Sequence, residues 1–144
     1  MSWFGHSVRV SEHVVNVDLG VVWEPNVPNA ILISTDTAVT RLWLSPRWDD
    51  SDQRAVVLAW RGAVLARMEP PNDEAREGHR RYEAGLAGVL WLGEVLEGRL
   101  VAQLETANRI HPRHNPGMWV GLRHWVVPLK ECNVEVVADA LEVE

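Results

Sequence analysis

Residues 118–143 read MWVGLRHWVVPLKECNVEVVADALEV, two apolar runs on either side of a short polar break at Lys130-Glu131-Cys132-Asn133. Valine recurs in both runs and tryptophan in the first, residue types that strands favour. The stretch is expected to fold as one long antiparallel hairpin, residues 119–129 against 134–143, with its loop centred on Glu131–Cys132. Register decides which side chains meet. With Leu129 opposite Val134, Val127 meets Val136, Val126 meets Val137, Leu122 meets Leu141, Val120 meets Val143 and His124 meets Asp139. A slip of two residues sets Val126 against Glu135 and Leu122 against Asp139. Cross-strand pairs contribute roughly 0.2–1 kcal/mol each, so apolar matching favours the first register.

Upstream, Leu96, Leu100, Leu104 and Ala107 recur at helical spacing, with Glu105 and Arg109 as an i,i+4 pair. This predicts a helix over 99–110, ended by Pro112 and laid on the sheet. A second, shorter helix is expected to start at Asn72 or Asp73 and run to Tyr82, with Asp73, Glu74 and Glu77 near its positive end. Its Arg76, His79, Arg80 and Arg81 interleave with Glu74, Glu77 and Glu83, which reads as a solvated face. Strands are expected at 8–10, 14–23, 30–34, 37–44, 55–60, 63–68 and 89–95. Those at 55–60 and 63–68 look like a hairpin joined by Arg61-Gly62. The order predicts an α+β fold: a mostly antiparallel, curved sheet with two short-to-medium helices, ending in the long C-terminal hairpin.

The chain of 144 residues suits a single domain, 1–144. Hydrophobic residues at 47% against charged ones at 24% place it among globular proteins. A formal net charge of −6 argues against a nucleic-acid binder that neutralises phosphates, and suits a basic partner. Cys132 is the only cysteine, which excludes an intrachain disulfide and fits a reducing cytoplasm. No stretch reaches the ~20 apolar residues of a membrane span, and the first residues carry no signal-peptide run. A cytoplasmic protein without membrane contact is expected. Eight tryptophans stand against one Tyr and one Phe; most are expected in the core and sheet, with some available to anchor a partner. The acidic run Asp49-Asp50-Ser51-Asp52 lacks the ligand spacing of a calcium loop and reads as solvated.

One polar cluster could carry chemistry: Asn108, His111, His114, His124, Glu131, Glu135 and Asp139. His111-Pro-Arg-His114 can supply two zinc ligands and His124 a third, although a proline-rich loop lacks the fixed geometry of a helical motif. Histidines that close the end of a helix are the plainer reading. Across the expected ladder His124 and Asp139 would form half of a general acid–base pair, the only catalytic candidates. No nucleophile elbow accompanies them, and Glu131 disfavours a Cys132 thiolate.

From Tyr82 onward, Tyr82-x-x-Gly85-Leu86, Glu94-Val95, Asn108-x-x-His111, His124-Trp125 and the acidic turn ending at Glu135 follow one another in order. This half resembles a family of small bacterial proteins without a known activity. That family's turn holds a His-Asp pair where this chain has Lys130-Glu131. The resemblance implies no known activity.

The expected function is a non-catalytic binding protein, for instance an immunity- or antitoxin-like protein covering a basic partner, with Asn108, His111, His114, Glu131 and Glu135 as binding candidates. No cofactor is expected. A small zinc-binding or hydrolytic enzyme and a homodimer paired along a sheet edge are the alternatives.

Overall fold

The computed structural model describes residues 11–144; Trp3 and the strand expected at 8–10 lie outside them. In chain order the strands are β1 His13–Asn16, β2 Ile31–Ser34, β3 Val39–Leu44, β4 Val56–Arg61, β5 Leu65–Glu69, β6 Gly93–Leu96, β7 Arg123–Pro128, β8 Asn133–Ala138 and β9 Ala140–Val143. Helix α1, Leu100–Asn108, lies between β6 and β7, and short 3-10 turns occur at Asp73–Gly78, Leu86–Gly88 and Pro116–Met118. All strand pairs are antiparallel, in a five-stranded sheet ordered β1-β6-β7-β8-β5 and a four-stranded sheet ordered β2-β3-β4-β9. The fold is α+β and mostly antiparallel, as the sequence predicts. Among the described residues no helix is long and apolar enough to cross a membrane.

The two sheets share one core. Leu42, Leu44, Leu58 and Trp60 from the four-stranded sheet meet Trp125, Val127, Val134, Val136 and Ala138 from the five-stranded one, with Trp23 packed among them. Period-two alternation explains this: in β3, Thr40, Leu42 and Leu44 are buried while Arg41 and Trp43 are only partly so. The tryptophans follow the core. Trp23, Trp60 and Trp125 are at most 2% exposed, and among the described tryptophans only Trp48, at 82%, stands out in solvent. The chain has no tryptophan cluster on its described surface.

Two pairing expectations are corrected. Strands β4 and β5 are consecutive yet do not pair: β4 lies between β3 and β9, while β5 lies beside β8. Between them Gly62, at φ +67, turns the chain from one sheet into the other beside the Asp139 carboxylate. Asp139 marks the matching crossing between β8 and β9, where its N–H donates to the Arg61 carbonyl at 3.0 Å. The C-terminal hairpin exists over β7 and β8, but in the register displaced by two: Val127 faces Val134, Val126 faces Glu135, Trp125 faces Val136 and His124 faces Val137. His124 therefore does not meet Asp139, which is exposed. Residues 140–143 pair with β4 instead of 119–122. A two-strand comparison treats Val126 opposite Glu135 as a mismatch. The mismatch is removed by a third strand, because Arg67 of β5 lies directly across from Glu135 on its other side.

The expected helix from Asn72 is likewise shorter. Asn72 caps it, its side chain accepting from the Ala75 N–H at 3.1 Å, but the 3-10 turn ends at Gly78. The chain then bends back beneath the surface, so His79 and Arg81, expected on a solvated face, are each only 6% exposed.

Candidate functional site

The face of the five-stranded sheet that points away from the main core is not solvent-facing. Val14, Val95 and Val126 on this face meet Leu86 and Val89 from the segment after Gly78, forming a second apolar cluster. That segment continues the covering layer over Glu135, which no solvent reaches. A lone carboxylate there is costly unless cations and hydrogen-bond donors surround it.

Three arginines do so. Arg67 comes from β5, with its Nε donating to Glu135 Oε2 at 2.8 Å and its Nη2 to the same oxygen. Arg80 Nη2 donates to both Glu135 oxygens at 3.1 Å. Arg81 Nη1 donates to Oε1. Two further carboxylates balance the guanidiniums: Glu69 takes Arg80 Nη2 at 3.1 Å, and Glu12 takes Arg81 Nε. Burial alone would push the Glu135 carboxyl up. His124, Arg81 and Arg67 together reverse that, and it is held well below the ordinary carboxylate range.

His124 Nε2 stands 3.6 Å from Glu135 Oε1, beyond hydrogen-bond length. Both its ring nitrogens are buried without a hydrogen-bond partner among the described residues. His79 borders the same group. Its Nδ1 accepts from the Arg81 N–H at 3.0 Å, which leaves Nε2 to carry the proton. Burial, then Arg80, holds this imidazole below its usual range, so it is neutral at pH 7.

Above the network opens a cleft of about 650 Å³, lined by Arg67, Glu69, Arg80, Arg81, Glu12 and, from the start of α1, Arg99. His79, Glu69 and Glu135 bring one ligand-type atom each within 4.8 Å of one another. The donor set does not fit a cation, however. The Glu135 oxygens already accept from three guanidiniums, and a divalent ion there would face all three positive charges.

The predicted site residues scatter. Only Glu135 belongs to this network, with His124 beneath it. His114 ties its loop to α1: the Asn108 amide donates to Nδ1 at 2.9 Å, Nε2 donates to Glu105 Oε1 at 2.9 Å, and the ring lies against Trp119. His111 is exposed, its Nδ1 accepting from the Arg113 N–H. Glu131 is exposed in the β7–β8 turn and Asp139 at the sheet corner. Among the described residues, His111, His114 and His124 form no common group of ligand-type atoms. Cys132 is half-buried, and burial, then Glu131, pushes its thiol up. His114→Ala should remove two hydrogen bonds, cost roughly 1 kcal/mol, and speed amide exchange across 109–119. An unchanged exchange pattern there would show that the loop is held otherwise.

Sequence reasoning missed Arg67, Arg80 and Arg81. A signal was present: Glu135 interrupts the apolar run Val134-Glu-Val-Val, and a carboxylate at a buried strand position needs a cation from elsewhere in the chain. No family model matches this chain, and no curated protein or solved structure matches it either.

Proposed function

We propose that the protein is a non-catalytic binding protein that takes its ligand in the arginine cleft above Glu135. The observation that carries this is the layer of guanidiniums held in place by a fully buried carboxylate at the base of an open cleft. Ordering long arginine side chains costs rotamer entropy, and here that cost is met before any ligand arrives, which is what a preorganised site requires. A catalytic reading finds less support. His124 is 2% exposed and Asp139 lies away from it, so the expected acid–base pair has neither partner nor access. Recognition of a basic partner through exposed tryptophans also loses its anchor. Many surface carboxylates, Asp52, Glu142 and Glu144 among them, are already engaged by arginines.

A screen of small fragments, balanced between anionic, neutral and cationic members and followed by backbone amide shifts, tests the reading. Binders are expected to move amides at 67–69, 80–84 and 99–103. A screen whose hits all fall elsewhere, or that yields none, removes the cleft as the site.

Self-association is a second reading, favoured by β2. This strand forms one edge of the four-stranded sheet and exposes Ile31 at 56% and Ile33 at 49% without a lysine or proline to blunt it. A solution mass equal to one chain at high concentration would set it aside.

A further inference from the structure

The donors and acceptors around the cleft favour one class of ligand, an inference that rests on the cleft being the binding site. Each guanidinium offers five N–H groups and no acceptor. Among the described residues, Arg67 engages Nε and Nη2 and leaves Nη1 unpaired. Arg80 engages only Nη2, leaving Nε and Nη1. Arg81, whose side chain is 7% exposed, places Nε on Glu12 and Nη1 on Glu135, and its Nη2 meets no acceptor among the described residues. Arg99 forms no ion pair with any described residue, and residues 1–10 contain no Asp or Glu that could supply one. The acceptor side is nearly exhausted, since Glu135 receives all three inner arginines and Glu69 and Glu12 are both engaged.

The charge runs the same way. Four arginines face Glu12, Glu69 and Glu135, so the cleft is positive within a chain of net charge −6. Helix α1 adds to it. Its first residue Leu100 and first-turn Gln103 line the cleft, its N-cap Arg99 makes no side-chain cap, and its first turn carries no acidic residue. The arginines and the first turn of α1, the positive end of its dipole, therefore line the same space.

We infer that the cleft binds a ligand through an oxyanion, a phosphate or carboxylate group, held by Arg80, Arg81 Nη2 and Arg99 over the Glu135 platform. An acceptor-only group satisfies the surplus donors, and paired N–H groups of a guanidinium match it two at a time. Glu12 and Glu69 at the rim limit how much negative charge the cleft tolerates, which selects one compact anion over a polyanion.

The test titrates the intact chain with inorganic phosphate, succinate, glucose and spermidine at constant ionic strength, following backbone amides. Phosphate or succinate is expected to shift residues 67–69, 80–84 and 99–103 in the millimolar range; whichever binds more tightly identifies the phosphoryl or the carboxylate source. Arg99→Gln, which removes an exposed side chain without an ion-pair partner among the described residues, is expected to weaken that binding about tenfold while leaving the melting temperature unchanged. Binding of glucose or spermidine at these amides, with neither anion active, overturns the oxyanion while the cleft survives as a binding site. No response at these amides to any of the four overturns the oxyanion, and the fragment screen then decides the cleft. Phosphate binding that Arg99→Gln leaves intact overturns the arrangement inferred here.

Discussion

Glu135→Gln is expected to lower the unfolding free energy by about 3–5 kcal/mol, the range for breaking a buried ion pair from one side. The amide keeps the shape of the carboxylate, so packing stays and only the charge goes. Arg67 and Arg80, with 36% and 51% of their side chains exposed, can turn toward water. Arg81 cannot, and keeps its buried charge with Glu12 as its one remaining carboxylate partner among the described residues. In urea the midpoint should fall by roughly 1 M or more at unchanged slope. The double variant Glu135→Leu with Arg81→Leu should be more stable than the two single losses summed, because both buried charges leave together. Strict additivity would show that the two side chains act independently. The pH dependence has a definite sign. A carboxyl held low in the folded state contributes stability that is complete above its ordinary value of about 4.5 and fades as pH falls through the lower folded value. The acid side of the stability profile should therefore be shallower in Glu135→Gln. It should not vanish, since Asp52, Asp73, Glu105 and Glu144 are also held low by cationic neighbours.

What the sequence revealed and what it hid separate along one physical line. A strand with local alternation, such as β3, and the helix α1 are legible because their signals lie within a dozen residues. Pairing between strands is not. The turn at Arg61-Gly62 has the composition of a hairpin, but the apolar residues of β4 and β5 belong to different sheets, and only the positions of β8 and β9 determine that. The C-terminal register is hidden for the same reason: Glu135 opposite Val126 costs free energy between two strands and becomes favourable once Arg67 and Arg81 arrive, 68 and 54 residues away in sequence. The candidate histidines drew attention by type and spacing. The arginines that build the cleft looked like ordinary surface residues, since charge on a short polar segment carries no mark of being folded inward.

The folding-in of that segment depends on Gly85, and Gly85→Ala is expected to cost about 2–5 kcal/mol, combining backbone strain with overpacking. Gly85 has φ +125, a conformation that residues with a Cβ rarely adopt. An added Cβ would overlap the carbonyl oxygen of Val14 and lie 3.2 Å from its nitrogen. This is where the covering segment is fastened to the sheet edge, through the Val14 N–H donating to the Ala84 carbonyl at 2.9 Å. A methyl group there displaces backbone from backbone, which neither side can yield cheaply. Leu86 and Val89 would withdraw from Val14, Val95 and Val126, and Arg80 and Arg81 would be carried off Glu135 with them. Gly88→Ala is the matched control: nothing lies within 4 Å of its Cβ position, and its effect should be small or slightly favourable. Amide exchange at Val14 separates the outcomes. Faster exchange in Gly85→Ala alone, together with weaker ligand binding in the cleft, is the expected result. Equal stability of the two alanine variants would mean that the segment carrying Arg80 and Arg81 does not rest on β1, and the cleft would lose its floor.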